Sequence, residues 1–266
     1  MAVNPKPLPR YSSEILAWEY DQRQPEPLPG ELEWYLKYAR HSRSPVLELA
    51  CGSGRLLIPM AQADYEIHGV DSSESMLNQL RKKIAILNIS IQRKITIFRS
   101  DILEFSPSQR YDMIVIAYNS LRELTTKRMI RQCFQHVFNI LNPGGYFLFT
   151  LRRIDRLSLK DGKKVIFDSL DKPFVDEEKR LSVGSKIISF MDSENRIGNE
   201  HTYVIKQRGC QLETINFTTY TLIIDTVEYV KMLKDSGFTV QVSSGYSEQP
   251  EDGISKEICF VCRKSA

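Results

Sequence analysis

No stretch of this sequence approaches the ~20 consecutive apolar residues that a membrane-crossing helix needs, so no helical membrane span is expected. The opening residues, Met-Ala-Val-Asn-Pro-Lys, lack the apolar core of a secretory signal. Cysteine is sparse and odd in number, with five at positions 51, 133, 210, 259 and 262. That scatter reads as reduced thiols of a cytoplasmic protein and excludes a disulfide framework. Cys259-Phe-Val-Cys262 is a lone pair in an expected strand, where residues three apart face opposite ways, so it does not read as a metal or redox site. Histidine is scarcer still; the four, at 41, 68, 136 and 201, show no metal-ligand spacing, and no metal is expected. Charge of one sign is also lacking. A net +3 without a concentrated basic stripe is too mild for a nucleic-acid footprint, so nucleic acid is not an expected partner. What remains is ordinary globular composition, 42% hydrophobic and 26% charged, in 266 residues, enough for one α/β core with an accessory piece.

The informative stretch is 45–58, in which an apolar run passes through a Gly-Ser-Gly turn into a helix. Val46, Leu47 and Leu49 have the continuous apolar character of a strand buried on both faces of a parallel sheet. Gly52 and Gly54 permit backbone angles and a close approach that a Cβ would obstruct. Helix N–H groups beginning near Ser53 point into the turn and favour a polar or anionic ligand group. Glu48 is the one acid in the apolar run; it serves the ligand, or caps or salt-bridges behind the loop, because a buried carboxylate needs a partner. The dinucleotide fingerprint G-x-G-x-x-G is absent, since Ala50 stands first and there is no third glycine. Asp71 instead ends a second strand, where an open α/β sheet offers an acid to the hydroxyls of a ribose. Asp101 follows a third strand, and a fourth delivers Tyr118-Asn-Ser120 to the same edge.

These segments resemble the class I S-adenosylmethionine-dependent methyltransferases, of small-molecule type. Leu47-Glu-Leu-Ala-Cys-Gly-Ser-Gly54 is similar to that family's first motif, His68-Gly-Val-Asp-Ser-Ser-Glu-Ser-Met76 to its second and Ser100-Asp-Ile-Leu103 to its third. Asn142-Pro-Gly-Gly-Tyr-Phe-Leu-Phe149 is similar to the turn that leads into its fifth strand. The resemblance runs from about 44 to 151. It implies a Rossmann-like, doubly wound, mostly parallel seven-stranded sheet with an antiparallel last strand, and S-adenosyl-L-methionine as cofactor. It implies further that Gly52, Gly54 and the Ala50 backbone meet the methionine portion, Asp71 the ribose, Asp101 and the Ile102 amide the adenine, and Met76 the adenine or ribose. Glu48, Ser72, Tyr118 and Asn119 complete the cofactor-binding candidates. Glycine is commoner at position 50 in the family, and the alanine here is expected to tighten the turn slightly.

The resemblance also supplies expectations for the reaction. The acceptor is expected to be a small molecule bearing an amine or hydroxyl, the alternatives being methylation of RNA or protein, or a non-catalytic cofactor-binding member of the fold. Related small-molecule enzymes often carry histidine three positions after the Ser of the Asn-Ser turn; here Glu123 stands there, either accepting the acceptor's proton or paired with Arg122 or Lys127. In the resembling enzymes the leading segment folds over cofactor and acceptor, which makes Tyr20 a second catalytic candidate, although aromatic residues of such a helix also serve as core. The expected organisation is a single domain: a helical lid at 1–44, the cofactor core at 45–151, an inserted antiparallel sheet at 179–222, and a closing helix with two strands at 225–266. Alternating apolar residues from 179 onward suggest about three inserted strands. The insertion reads equally as a substrate-selecting element, a structural sheet or the surface of a homodimer. Pro59 falls inside the helix expected at 53–61 and should shorten or bend it.

Overall fold

The computed structural model describes residues 12–154, 159, 162–192 and 196–265. The chain divides into two compact units, one of residues 1–23 and 154–223 and one of residues 24–153 and 224–266. The Pro-rich start at 1–10 and the turn residues 193–195 lie outside the described residues.

The larger unit is built on β1 (Val46–Leu49), β2 (Ile67–Asp71), β3 (Ile95–Arg99), β4 (Tyr111–Ile116), β5 (Leu141–Arg152), β11 (Phe238–Ser244) and β12 (Glu257–Lys264). They form one seven-stranded sheet in the order β11-β12-β5-β4-β1-β2-β3. Neighbours from β5 through β3 are parallel, and β12 alone runs antiparallel, to both β5 and β11. Every residue of β1 is buried, as expected of a strand covered on both faces. The chain steps from β1 outward to β2 and β3, then returns to place β4 on the other side of β1, so the winding reverses between β1 and β4. In open α/β sheets that reversal opens a crevice at the carboxyl ends of the strands.

Helices α2 (Glu31–Ala39), α3 (Leu57–Gln62), α4 (Glu74–Ala85), α5 (Ile89–Gln92), α6 (Lys127–Ile140) and α7 (Thr226–Asp235) belong to this unit. Serine and threonine hydroxyls fix two of the starts, because each takes up an N–H that has no partner within the helix. Ser73 Oγ accepts from Met76 N at 3.1 Å, and Thr126 Oγ1 accepts from Met129 N at 3.1 Å. The apolar stripe of α6, Ile130, Cys133, Phe134 and Val137, is buried, with the Phe134 ring 5.8 Å from that of Phe149 on β5.

Two local expectations are corrected. Residues 53–56 form turns, and α3 begins only at Leu57, so Pro59 lies in the first helical turn. There its missing N–H breaks no hydrogen bond, and no bend is needed. The Pro-Gly-Gly turn is an excursion within β5: Tyr111 pairs with Leu141 and Met113 with Tyr146, so Asp112 alone faces residues 142–145. Gly145 is required there, since a Cβ would lie 2.9 Å from the carbonyl oxygens of Asn142 and Asp112.

The smaller unit holds α1 (Glu14–Arg23) and the strands β6 (Val165–Asp168), β7 (Phe174–Asp176), β8 (Leu181–Met191), β9 (Arg196–Gln207) and β10 (Cys210–Leu222). The sheet is antiparallel, in the order β10-β9-β8-β6 with β7 also on β8; β8, β9 and β10 are the three strands expected from 179 onward, and β6 and β7 add two before them. Its core is Leu16 of α1 packed with Leu181, Val183, Tyr203 and Ile205. The two strands that sequence reading overlooked are the short ones: β6 is exposed at all four positions and β7 is three residues long, so neither shows an alternating pattern.

Candidate active site

The loop after β1 is held to the end of β2 by its own backbone. Cys51 N donates to Val70 O at 3.0 Å, and Gly52 N donates to Asp71 Oδ2 at 2.8 Å. The other oxygen of Asp71 accepts from Ser73 N at 2.8 Å, and Ser100 N donates to Asp71 O at 3.1 Å, which ties in the end of β3. Burial pushes the Asp71 carboxyl above its usual range, while the N–H groups of Ser73, Gly52 and Ser72 pull the other way. Two carboxylate oxygens offer about four acceptor positions, so these bonds leave Asp71 with capacity for hydroxyl donors.

Ala50, Gly52 and Gly54 all adopt left-handed backbone, with φ of 58°, 55° and 85°. This explains why glycine suits position 50: an alanine there carries a strain of about 1–2 kcal/mol. The turn expected to be slightly tight is thus a strained one. The missing Cβ atoms of the two glycines also admit α4, since a Cβ on Gly52 would lie 2.9 Å from Met76 Cε and one on Gly54 2.4 Å from Leu80 Cδ1.

Glu48 is 3% exposed, and its Oε2 has no hydrogen-bond partner among the described residues. Burial pushes its carboxyl up to about 8 from an ordinary 4.5, against the pull of Arg55 and with Glu31 and Asp71 adding to the rise. The salt bridge weighed for Glu48 is formed elsewhere. Arg55 grips Glu31 at both ends, Nη1 to Oε2 at 2.6 Å and Nη2 to Oε1 at 2.8 Å.

At the carboxyl end of β4, Tyr118 and Asn119 are consecutive non-glycine residues with φ of 49° and 66°. Strain of this kind persists only where surrounding bonds enforce it, and it clusters at functional sites. Tyr118 N donates to Thr150 Oγ1 at 3.1 Å, Asn119 N donates to Thr150 O at 3.2 Å, and Asn119 Oδ1 accepts from Arg152 N. The Tyr118 hydroxyl donates to Gln24 Oε1 at 2.8 Å.

The larger unit therefore brings Glu48, Ala50, Gly52, Gly54, Asp71, Ser72 and Met76 together around the β1 and β2 ends, with Tyr118 and Asn119 across the crevice. Asp101 and Ile102 follow β3; the Asp101 side chain is exposed and accepts from Leu103 N at 2.8 Å. Glu123 is exposed at the end of a 3-10 turn, Ser120–Glu123. Neither rival partner pairs with it: Arg122 donates to Arg152 O at 2.9 Å, and Lys127 pairs with Glu228 at 2.6 Å. Tyr20 lies half-buried on α1, in the smaller unit. Sequence reasoning missed Arg55 and Glu31, 6% and 0% exposed. The available signal was a charged residue directly after the Gly-Ser-Gly turn with no role assigned to it.

A doubly wound sheet with a glycine turn after β1 and an acid at the end of β2 defines the architecture of a nucleoside-binding α/β domain. The comparisons make that particular. Residues 46–145 match a family described as a methyltransferase domain. The candidate methyltransferase YqeM of Bacillus subtilis (strain 168) is 27% identical over 222 residues, covering 83% of this chain and 84% of that protein. The CcbJ methyltransferase from Streptomyces caelestis superposes with a TM-score of 0.73 at 22% identity, covering 91% of each chain. The sugar N-methyltransferase KedS8 from Streptoalloteichus sp ATCC 53650 gives 0.71 at 15% identity, over 93% of this chain and 92% of that one. Over residues 46–145 the chain is thus similar to methyltransferase domains, and its fold is that of the solved S-adenosylmethionine-dependent methyltransferases. Among the described residues no helix is long and apolar enough to cross a membrane.

Proposed function

We propose that the protein transfers the methyl group of S-adenosylmethionine to an amine or hydroxyl of a small-molecule acceptor, of the sugar-like kind named for KedS8. The observation that carries the reading is the convergence of the β1 and β2 ends on a crevice containing a buried, unpartnered Glu48 oxygen. These residues fit the cofactor. Glu48 is suited to an ammonium, the free lone pairs of Asp71 to ribose hydroxyls, and the Ala50, Gly52 and Gly54 backbone to the methionine portion. Met76 and Ser72 flank the ribose, Asp101 and the Ile102 amide take the adenine, and Tyr118 and Asn119 close the opposite wall. Buried acids at this edge also disfavour the pyrophosphate of a dinucleotide, because like charges in a low-dielectric site repel strongly.

Bound S-adenosylmethionine supplies a methyl group already activated on a sulfonium, so transfer is an in-line displacement needing alignment and exclusion of water. The protein's part is to fix that alignment from the strand ends. Glu123, exposed and without an ion pair among the described residues, would take the proton that an amine acceptor loses or hold its ammonium form. Tyr20 takes no part in this proposal.

Calorimetric titration tests the cofactor half: binding of S-adenosylmethionine without binding of NAD is expected, and the reverse preference refutes it. Screening amino sugars, other amines and hydroxyl metabolites for release of S-adenosylhomocysteine tests the acceptor half. Turnover on RNA or protein alone, with none on small molecules, refutes that half.

A further inference from the structure

The crevice between β1 and β4 is crossed by residues 24–31, the Pro-rich segment ahead of α2, and three contacts hold it there. Glu31, at the start of α2, forms the two-pronged ion pair with Arg55 and also accepts from Leu28 N at 2.8 Å. Arg55 Nη1 reaches the carbonyl oxygen of Glu26 at 3.3 Å. Gln24 accepts from the Tyr118 hydroxyl. Arg55 also lies 4.5 Å above the centre of the Tyr118 ring. One guanidinium, carried by the cofactor loop, thus touches both the crossing segment and the turn after β4.

This arrangement has a direction. Arginine presents a rigid planar fork that matches a carboxylate and stacks on an aromatic face, which a lysine cannot do. With both partners 6% exposed or less, the pair is shielded from water and is not an incidental surface contact. The strained Tyr118 backbone is held in place partly by what its ring and hydroxyl meet, namely Arg55 and Gln24.

We propose that Arg55 is a positioning residue for methyl transfer: its grip on Glu31 and its stacking on Tyr118 hold residues 24–31 as a strap across the crevice, and this strap lifts when cofactor exchanges. The inference rests on the reading that the crevice is where S-adenosylmethionine binds. The sequence hides the link because its two halves are 24 positions apart and neither belongs to a periodic pattern.

The test is the rate of S-adenosylmethionine dissociation, followed by competition, beside steady-state kinetics and melting temperature. Arg55→Lys keeps the charge and loses fork and stack; cofactor KM and dissociation rate should each rise by about tenfold or more. Gln24→Ala removes only the acceptor of the Tyr118 hydroxyl. It should speed dissociation by about three- to tenfold, the worth of one hydrogen bond. Tyr118→Phe should reproduce that effect, and combining it with Gln24→Ala should add nothing because both remove one bond; the faster release itself is what a merely structural role would not produce. Should Arg55→Lys fail to fold, the Gln24 and Tyr118 variants decide. If the wild type binds and these variants release cofactor at its rate, the strap is not a cover and the proposal is overturned. If the wild type binds no S-adenosylmethionine, the functional reading falls and this inference with it.

Discussion

Replacing Glu48 by glutamine should stabilise the free protein at alkaline pH while weakening its hold on cofactor. The Glu48 carboxyl is raised from 4.5 to about 8, chiefly by burial. Between those two values the unfolded chain has released a proton that the folded chain keeps. The folded state binds more protons, so stability falls as pH rises through this window and levels off above about 8. At 1.36 kcal/mol per unit the full fall is on the order of 5 kcal/mol, worth several degrees in melting temperature. Glu48→Gln removes the titrating group, so this contribution disappears: wild type and variant should melt together near pH 5 and diverge by pH 8, the variant melting higher. For cofactor the sign reverses, because an ammonium loses its charged partner, a loss of about 1.5–3 kcal/mol or roughly 10- to 150-fold in affinity. Binding to the wild type near pH 7 should also release close to one proton, read as a buffer-dependent binding enthalpy. The assay is thermal melting from pH 5 to 9 with titration calorimetry in two buffers of different ionisation enthalpy. Parallel melting curves, or a variant that binds as tightly as wild type, would refute the reasoning.

Three further outcomes are expected. Ala50→Gly relieves the left-handed strain at φ 58° and should raise stability by about 0.5–1 kcal/mol, the strain relief less the added freedom of the unfolded glycine; chemical denaturation measures it. Thr126→Ala removes the cap of α6 and should cost about 1 kcal/mol in the same assay without changing cofactor affinity. Glu123→Gln should lower kcat on the true acceptor by about 100-fold, with cofactor binding intact, as loss of a general base does; unchanged turnover removes Glu123 from the mechanism.

The parts of the fold legible in the sequence were those that repeat. Buried parallel strands announce themselves as apolar runs such as 46–49 and 111–117, and α6 by a 3.6-residue stripe ending at the Pro-Gly-Gly turn. Their order along the chain, with glycines or an acid at each strand end, implied the doubly wound sheet, and the structure has it. Short or exposed elements carried no such signal. β6 shows four exposed residues, and α5 is four residues long with none buried. The placement of α3 turned on a single residue, because Pro59 marks a helix start as readily as it breaks an interior, and only coordinates distinguish the two. The segment before α2 was legible as a break but not as a strap, since its position depends on Glu31 finding Arg55.

The same pairing explains why the crevice remains electrostatically open. Glu48 lies within the field of Glu31, Asp71 and Arg55, so two other acids oppose the pull of one guanidinium on it. Arg55 is bound directly to Glu31, and no ion pair reaches Glu48 among the described residues. A fold selected only for stability would pair Glu48 or replace it with an apolar residue, because an isolated buried carboxyl is destabilising once ionised. Keeping it unpaired costs stability in the free protein, and the cost is relieved when a cation arrives. The ligand that this edge favours is therefore one bringing positive charge to a buried site, which describes an amino acid sulfonium and not a pyrophosphate. The strap held by Arg55 would shield that charge pair from water, so the residue that leaves Glu48 unpaired would also strengthen its attraction for the ligand.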